Sequence, residues 1–314
     1  MNIEALNQEK QHLIVVDLDG TILPDFTNVD QKAAKVLRKL KEKGHKVCIA
    51  TGRNYLSTLP IYKEVGLDSL LITYNGAYIN HPLKKDNPAL AVIAIANSII
   101  GKILTEKTIR DNLLNVMVDS IDRQSISTSD DIYYQQVFFN GNPYKKVGKS
   151  GTETTKNSPV DIANFLERLQ GQDVLQLVLE FPNKTSLVDN IIRTLRKNYK
   201  SSITFYCGEK LKAEREGENI LVPDHTRQII KIRNYNANKG EATKLVAGYY
   251  NISLNHTIAF GNDINDIEMM NKVGIGVAVS NSANNLKAYV HDITEFDSRS
   301  GGVAKYLIDY FGLK

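Results

Sequence analysis

Leu13-Ile14-Val15-Val16-Asp17-Leu18-Asp19-Gly20-Thr21 sets four apolar residues directly before two carboxylates, a glycine and a hydroxyl. An unbroken apolar run of this length fits a strand buried on both faces, as in a parallel sheet. An acid at the carboxyl end of such a strand stands where ligands bind in open α/β sheets. If strand geometry persists through Leu18, Asp17 and Asp19 project to the same side. Gly20 then lets the backbone turn sharply. Two carboxylates this close repel and tend to hold one proton or one metal ion. That points to acid–base work or to Mg²⁺ coordinated by oxygen ligands. An Asp-Gly pair also serves as an ordinary turn, but its place straight after Val15-Val16 favours function.

The same grammar extends outward from this strand. Ala33, Val36, Leu37 and Leu40 stripe one face of a helix that Gly44 closes. Val47 to Ala50 reads as a strand, Asn54 to Val65 as a helix and Leu70 to Thr73 as a third strand. Strands separated by helices imply parallel pairing through helical crossovers. The C-terminal part repeats the pattern: a helix striped by Ala242, Leu245, Val246 and Tyr249, strand Thr257 to Phe260 and helix Asp266 to Val273. Strand Ile275 to Val279 and helices near Ala283 to Tyr289 and Val303 to Phe311 complete it.

The middle differs. Ile132 to Phe139, Val174 to Phe181 and Ile203 to Cys207 are strand-like, with helices near Val160 to Gln170 and Leu187 to Lys197. Polar residues between apolar ones, as in Leu175-Gln176-Leu177, suit a sheet with one wet face. Asn140 to Pro159 is rich in Gly, Lys, Ser, Thr and Asn and reads as a mobile loop. Tyr133, Tyr134, Phe138 and Phe139 read as a core stripe rather than as substrate contacts. The expected fold is therefore α/β. A Rossmann-like parallel-sheet core with helices on both faces spans 1–81 and 233–314, and an α+β cap domain is inserted over 82–232.

Composition narrows the function. The chain has 314 residues, 42% of them apolar and 24% charged, which is ordinary globular composition and room for about two domains. No apolar run reaches the ~20 residues of a membrane-spanning helix, and the opening MNIEALNQEKQH leads into no signal-like stretch. A cytoplasmic protein is expected, with no membrane partner. The net charge is only +4, from 39 basic and 35 acidic residues. Lys35, Lys39, Lys41 and Lys43 lie on one amphipathic helix, a solvated face rather than a nucleic-acid surface. Cys48 and Cys207 have no zinc or redox spacing, and the six histidines show no ligand motif.

Asp17-Leu18-Asp19-Gly20-Thr21 resembles motif I of the haloacid-dehalogenase superfamily of phosphatases. Ala50-Thr51-Gly52-Arg53 is similar to motif II, and Thr73-Tyr74-Asn75-Gly76-Ala77 to the signature of the Cof-type branch. Asn238-Lys239-Gly240 resembles the motif III lysine, and Gly261-Asn262-Asp263-Ile264-Asn265-Asp266 resembles motif IV. The five motifs fall in order, each at a strand end, and cover both core segments. The insert has the position and size of that branch's large α/β cap, which the resemblance makes a lid over the site.

The resemblance implies a Mg²⁺-dependent phosphatase acting on small phosphorylated metabolites, sugar phosphates or similar monoesters. Asp17 would attack phosphorus and form an aspartyl-phosphate. Asp19 would protonate the leaving alcohol and then take a proton from the hydrolytic water. Thr51, Lys239 and Asn265 would bind the phosphoryl group. Asp17, Asp19 (through its backbone carbonyl), Asn262 and Asp266 would serve the metal. A cation at a helix N-terminus, as Lys239 is predicted to be, is misplaced unless an anion compensates it. Arg53 can reach substrate or pair with an acid, and Asn75 can be site or turn. Motif IV departs from the family pattern. Asn262 stands where an acid is usual; its amide oxygen can ligate Mg²⁺ but adds no charge. Asn265 and Asp266 set the register, which favours Asn262 over Asp263 as the ligand. The alternatives are a phosphate-binding or regulatory protein that has lost turnover through Asn262, and a phosphomutase. A monomer or weak homodimer is expected.

Overall fold

The computed structural model describes residues 11–84, 89–122, 132–138, 144–147, 153–156, 162–213 and 221–313. These fall into two compact units, one running up to Ala91 and resuming at Ala237, the other spanning Val92–Asn236.

In the first unit, β1 (Leu13–Val16) leads through α1 (Gln31–Glu42) to β2 (Lys46–Ala50). Then α2 (Tyr55–Val65), β3 (Leu71–Thr73) and β4 (Tyr78–Asn80) follow, and the short β5 (Ala91–Val92) extends that sheet edge. Each helix starts at a side chain able to accept an otherwise unpaired N–H: Asp30 caps α1 and Asn54 caps α2, each cap contributing ~1 kcal/mol.

The second unit holds α3 (Asn97–Thr105), α4 (Lys107–Arg110), β6 (Asn115–Asp122), β7 (Ile132–Phe138), β8 (Tyr144–Val147) and β9 (Glu153–Lys156). It continues with α5 (Ile162–Arg168), β10 (Gln172–Pro182), α6 (Thr185–Tyr199), β11 (Ile203–Ala213) and β12 (Leu221–Asn234). The chain then returns to the first unit through α7 (Lys239–Tyr249), β13 (Thr257–Gly261), α8 (Ile267–Lys272), β14 (Ile275–Ala278), α9 (Asn284–Lys287), β15 (Asp292–Ile293) and α10 (Gly302–Phe311).

The first unit's sheet runs β15-β14-β13-β1-β2-β3-β4-β5. β15, β14, β13, β1, β2 and β3 are mutually parallel, whereas β4 turns back antiparallel on β3. β1 is therefore central, and all four of its residues are buried. Leu13 and Val15 join Ala242, Val246, Met269 and Met270 of α7 and α8 in one apolar cluster. Ile14 and Val16 point to the other face by strand alternation, the side where α1 packs on β2, α2 and α10. An α/β fold with a doubly covered parallel core is what the continuous apolar strands demand.

The second unit is an antiparallel sheet ordered β11-β12-β10-β6-β7-β8-β9. Val116, Val118, Leu177, Leu179, Ile230 and Ile232 face the helices α3 to α6 in a single core. The alternate residues Asn115, Asp119, Gln176 and Glu180 lie on the opposite face, paired across β6 and β10, and they are buried, so this polar face is not the wet one expected from Leu175-Gln176-Leu177.

Three further expectations require correction. The strand ends at Val16, and the Leu18 carbonyl accepts N–H bonds from Thr21, Ile22 and Leu23, so Asp17 and Asp19 are not alternate residues of one strand. Within Asn140 to Pro159, Tyr144–Val147 and Glu153–Lys156 form an antiparallel ladder at the sheet edge. Loop-like composition hid it, since an edge ladder accepts Lys and Thr without an apolar face. On α7, Leu245 and Tyr249 are exposed, and the buried stripe is Lys239, Ala242, Thr243, Val246 and Ala247. The side chains of Tyr133, Tyr134 and Phe138 lie outside the described residues, as does all of Phe139.

Candidate active site

Asp17 is the first residue beyond β1, and its N–H donates to the Phe260 carbonyl of β13 at 3.0 Å. Backbone pairing with the neighbouring strand therefore fixes where the carboxylate starts. Its side chain is buried. Lys239 Nζ donates to Asp17 Oδ1 at 2.5 Å and to Asp266 Oδ1 at 2.6 Å, and this ammonium is fully buried at the first position of α7. The electrostatic misfit of a cation at a helix start is thus answered by two anions. Asn238 caps the helix by accepting from the Glu241 N–H at 2.8 Å, which sets the direction in which Lys239 leaves the backbone.

Burial pushes Asp17 up to about 7, opposed by the Lys239 charge and reinforced by Asp266. Burial works against the charge on Lys239 too, but the two carboxylates outweigh it and hold the ammonium up at about 12. A fully desolvated ammonium with two charge-assisted hydrogen bonds is a fixed positive charge at neutral pH.

The loop after β13 is built around Asp266. Its second oxygen accepts the backbone N–H of Asn262 at 3.0 Å and of Asp263 at 3.1 Å. Asp266 thus gives one oxygen to Lys239 and the other to its own loop, and Oδ1 keeps a lone pair that a metal ion can use. Asp263 is exposed, and its carboxylate accepts from the Ile264 N–H at 2.7 Å. Asn262 turns inward. Thr21 Oγ1 lies 3.3 Å from Asp17 Oδ2 and 3.5 Å from Asn262 Oδ1, so one hydroxyl spans the two oxygens. Gly20, at φ +77°, makes room: a Cβ there would fall 2.2 Å from Asn262 Nδ2.

Thr51 follows β2 and is fully buried. Its N–H donates to the Ile72 carbonyl at 3.0 Å, while its carbonyl accepts the Asn75 N–H at 2.8 Å. Tyr74, Asn75 and Gly76 hold φ of 51°, 53° and 100°. Such a run of left-handed backbone persists only when its surroundings over-determine it, and it concentrates at functional sites. Here it aims the Asn75 side chain at Asn265, whose Nδ2 donates to Asn75 Oδ1 at 2.9 Å. Arg53 donates through Nε to both oxygens of Asp19, at 3.0 and 2.9 Å, and through a terminal nitrogen to Asp19 Oδ1 and to the Phe26 carbonyl.

The geometry therefore links the seven nominated residues in two sets. Asp17, Lys239, Asp266 and Asn262 form one, tied through Thr21. Thr51 joins Asn265 through Asn75, and Asp19 through Arg53. Thr21, Arg53 and Asn75 are the participants that sequence reasoning left unassigned. Thr21 had a signal, a hydroxyl closing the acidic turn, whereas the role of Asn75 depends on its left-handed backbone.

The donor set can be tested against a divalent cation. Asp17 carboxylate, the Asn262 amide oxygen and the Asp19 carbonyl are hard oxygen donors, which suit Mg²⁺. Among the described residues no three His, Cys, Asp or Glu side chains converge as a cage. Mg²⁺ is commonly held by one or two carboxylates and keeps waters and substrate phosphate oxygens, so the residues fit.

A buried carboxylate beside a buried lysine thus stands at the carboxyl end of the central parallel strand, where open α/β sheets bind their ligands. The family model for haloacid dehalogenase-like hydrolases matches residues 14–307, and the chain belongs to that family, as a phosphatase of its Cof-type branch. It is 26% identical over 306 residues to the 5-amino-6-(5-phospho-D-ribitylamino)uracil phosphatase YitU of Bacillus subtilis, covering 98% of this chain and 100% of the relative. Among solved structures it is similar to TM0651 of Thermotoga maritima (TM-score 0.66, 20% identity, 95% and 97% of the two chains). The subclass IIB sugar phosphatase BT4131 matches with TM-score 0.60 and 17% identity over 97% and 100% of the two chains.

Proposed function

We propose that this phosphatase is Mg²⁺-dependent and hydrolyses small phosphorylated metabolites, sugar phosphates or related monoesters, through an aspartyl-phosphate. The observation that carries the reading is the buried Asp17 carboxylate at the end of β1, with Lys239 Nζ at 2.5 Å. Asp17 Oδ attacks phosphorus and the bond from phosphorus to the alcohol oxygen breaks. Asp19 gives that oxygen a proton, then takes one from the water that attacks the aspartyl-phosphate. Inorganic phosphate leaves and the Asp17 carboxylate is regenerated. Lys239, Thr51 and Asn265 neutralise and orient the phosphoryl oxygens. Asp17, the Asp19 carbonyl, Asn262 and Asp266 would hold Mg²⁺, with Asp266 also setting Lys239 and the loop of Asn262. When bound, the ion supplies positive charge to the transferring group.

The substrate class draws support from the names of the relatives, one acting on a phosphorylated ribityl compound and one on sugar phosphates. No helix among the described residues is long and apolar enough to cross a membrane. A cytoplasmic setting accords with Cys48 and Cys207, which are free thiols. A second reading, a phosphate-binding protein without turnover, rests on Asn262 in place of an acid. Hydrolysis of p-nitrophenyl phosphate with Mg²⁺ separates the two. The phosphatase reading requires turnover that Asp17→Asn abolishes; phosphate binding without turnover would support the other.

A further inference from the structure

We propose that Arg53 is a positioning residue that fixes the Asp19 carboxylate for proton exchange with the leaving alcohol and the incoming water; this rests on the phosphatase reading. The guanidinium grips Asp19 as a fork, with Nε 3.0 and 2.9 Å from the two oxygens and a terminal nitrogen closing on Oδ1. The same terminal nitrogen donates to the Phe26 carbonyl. Phe26 holds a left-handed φ of 64°, and its N–H donates to the Leu23 carbonyl. Arg53 thereby staples the general acid to the turn that follows β1.

Arg53 is itself anchored at both ends of its peptide unit. Its N–H donates to Thr51 Oγ1 at 3.1 Å, and its carbonyl accepts the Tyr74 N–H at 2.9 Å. Phosphoryl-binding residue, guanidinium and general acid are therefore one mechanical series. The fork fixes the carboxylate plane, yet two carboxylate oxygens offer about four lone-pair sites. The Asp19 side chain is 33% exposed, so acceptor sites remain open for the travelling proton. A lysine supplies charge without the planar fork and cannot set that plane.

A structural role for this ion pair and a positioning role predict different kinetics. A p-nitrophenolate leaves as a stable anion and needs little help from an acid. An alkoxide leaves only as it is protonated, and a positioned acid is worth about 10²–10⁴-fold there. The test compares Arg53→Ala and Arg53→Lys with the parent on p-nitrophenyl phosphate and on an alkyl phosphate, glucose 6-phosphate, with Mg²⁺ present. The expected result is a fall in kcat/KM, which reports the step in which the alcohol leaves, at least about tenfold larger for the alkyl ester than for the aryl ester. Arg53→Lys should recover less than half of the loss on a logarithmic scale. In an Asp19→Ala background, Arg53→Ala should lower the alkyl rate no further, since the two act as one unit. Thermal melting of each variant checks folding. An equal fall on both esters, or additive losses in the double variant, would overturn the positioning role alone. A parent protein that hydrolyses neither ester would overturn both this inference and the phosphatase reading.

Discussion

Asn262 decides how much negative charge the pocket offers a cation. Asp17 and Asp266 share one ammonium, Lys239, and Asp19 is matched by Arg53, so the set carries one net negative charge. An acid at position 262 would double it at a point where Asn262 Oδ1 shares the Thr21 hydroxyl with Asp17. Two charges ~4 Å apart at an effective dielectric of ~20 interact by ~4 kcal/mol, and solvent and repulsion within the acidic set reduce that. Asn262→Asp should therefore lower the half-saturating Mg²⁺ concentration by about tenfold or more, since ~1.4 kcal/mol is a factor of ten. Titration of activity against Mg²⁺ and calorimetric titration of the free protein measure it; unchanged affinity in both would remove Asn262 from the ligand set. At this scale the sequence was uneven. The acidic turn of residues 17–21 announced itself through the apolar run before it. The partner of Arg53 did not, because the contact joins residues 34 positions apart and only the folded backbone brings β1 and β2 into register.

Elements carry the site by where their ends fall, and Gly76 shows how tightly. It holds φ +100°, and a Cβ there would lie 2.5 Å from the Asn238 carbonyl oxygen and 2.9 Å from its carbon. The clash is with backbone at the start of α7, next to Lys239. Gly76→Ala should therefore both destabilise the protein, by about 1–3 kcal/mol from backbone strain, and lower kcat as Lys239 shifts. Urea unfolding and steady-state kinetics on the same preparation measure the pair of effects; wild-type values in both would contradict this packing. The strands and helices of the first unit were legible because the buried runs are short and apolar, and the first two lead into helices capped by Asp30 and Asn54. The α7 stripe was misread by one position: Lys239 belongs to its buried face, and a charged residue is invisible to a hydrophobic pattern until its two anions are known. The ladder of β8 with β9 escaped because Lys145, Lys146 and Glu153 to Lys156 give no apolar alternation in the sequence, and β6 and β12 because polar residues such as Asn115, Asp119 and Gln228 interrupt the apolar pattern.

At the scale of the molecule, each unit owns a core, and the second also buries a carboxylate. Asp119 lies on the face of β6 opposite the helices, accepting from Gln176 Nε2 at 3.3 Å, and burial pushes it up to about 7. Its folded value exceeds the unfolded one, so the native state keeps a proton that the unfolded chain has released. Stability from this group is therefore present at acid pH and falls as pH rises from about 4 to about 7. Asp119→Asn keeps the acceptor for Gln176 and removes the titration. Its stability relative to the parent should rise between pH 5 and pH 8 by about 1–3 kcal/mol. Urea unfolding at the two pH values, followed by circular dichroism, reads this difference. A difference independent of pH would mean that Asp119 is ionised throughout.

The most direct measurement bears on residue 17. Rapid acid quench during turnover of p-nitrophenyl phosphate, followed by borohydride reduction and peptide mass spectrometry, locates any acyl-phosphate on the chain. The account predicts conversion of Asp17 to homoserine in the parent and in a slowed Asp19→Asn variant, and none in Asp17→Asn. Label on another side chain, or undiminished hydrolysis by Asp17→Asn, would contradict it.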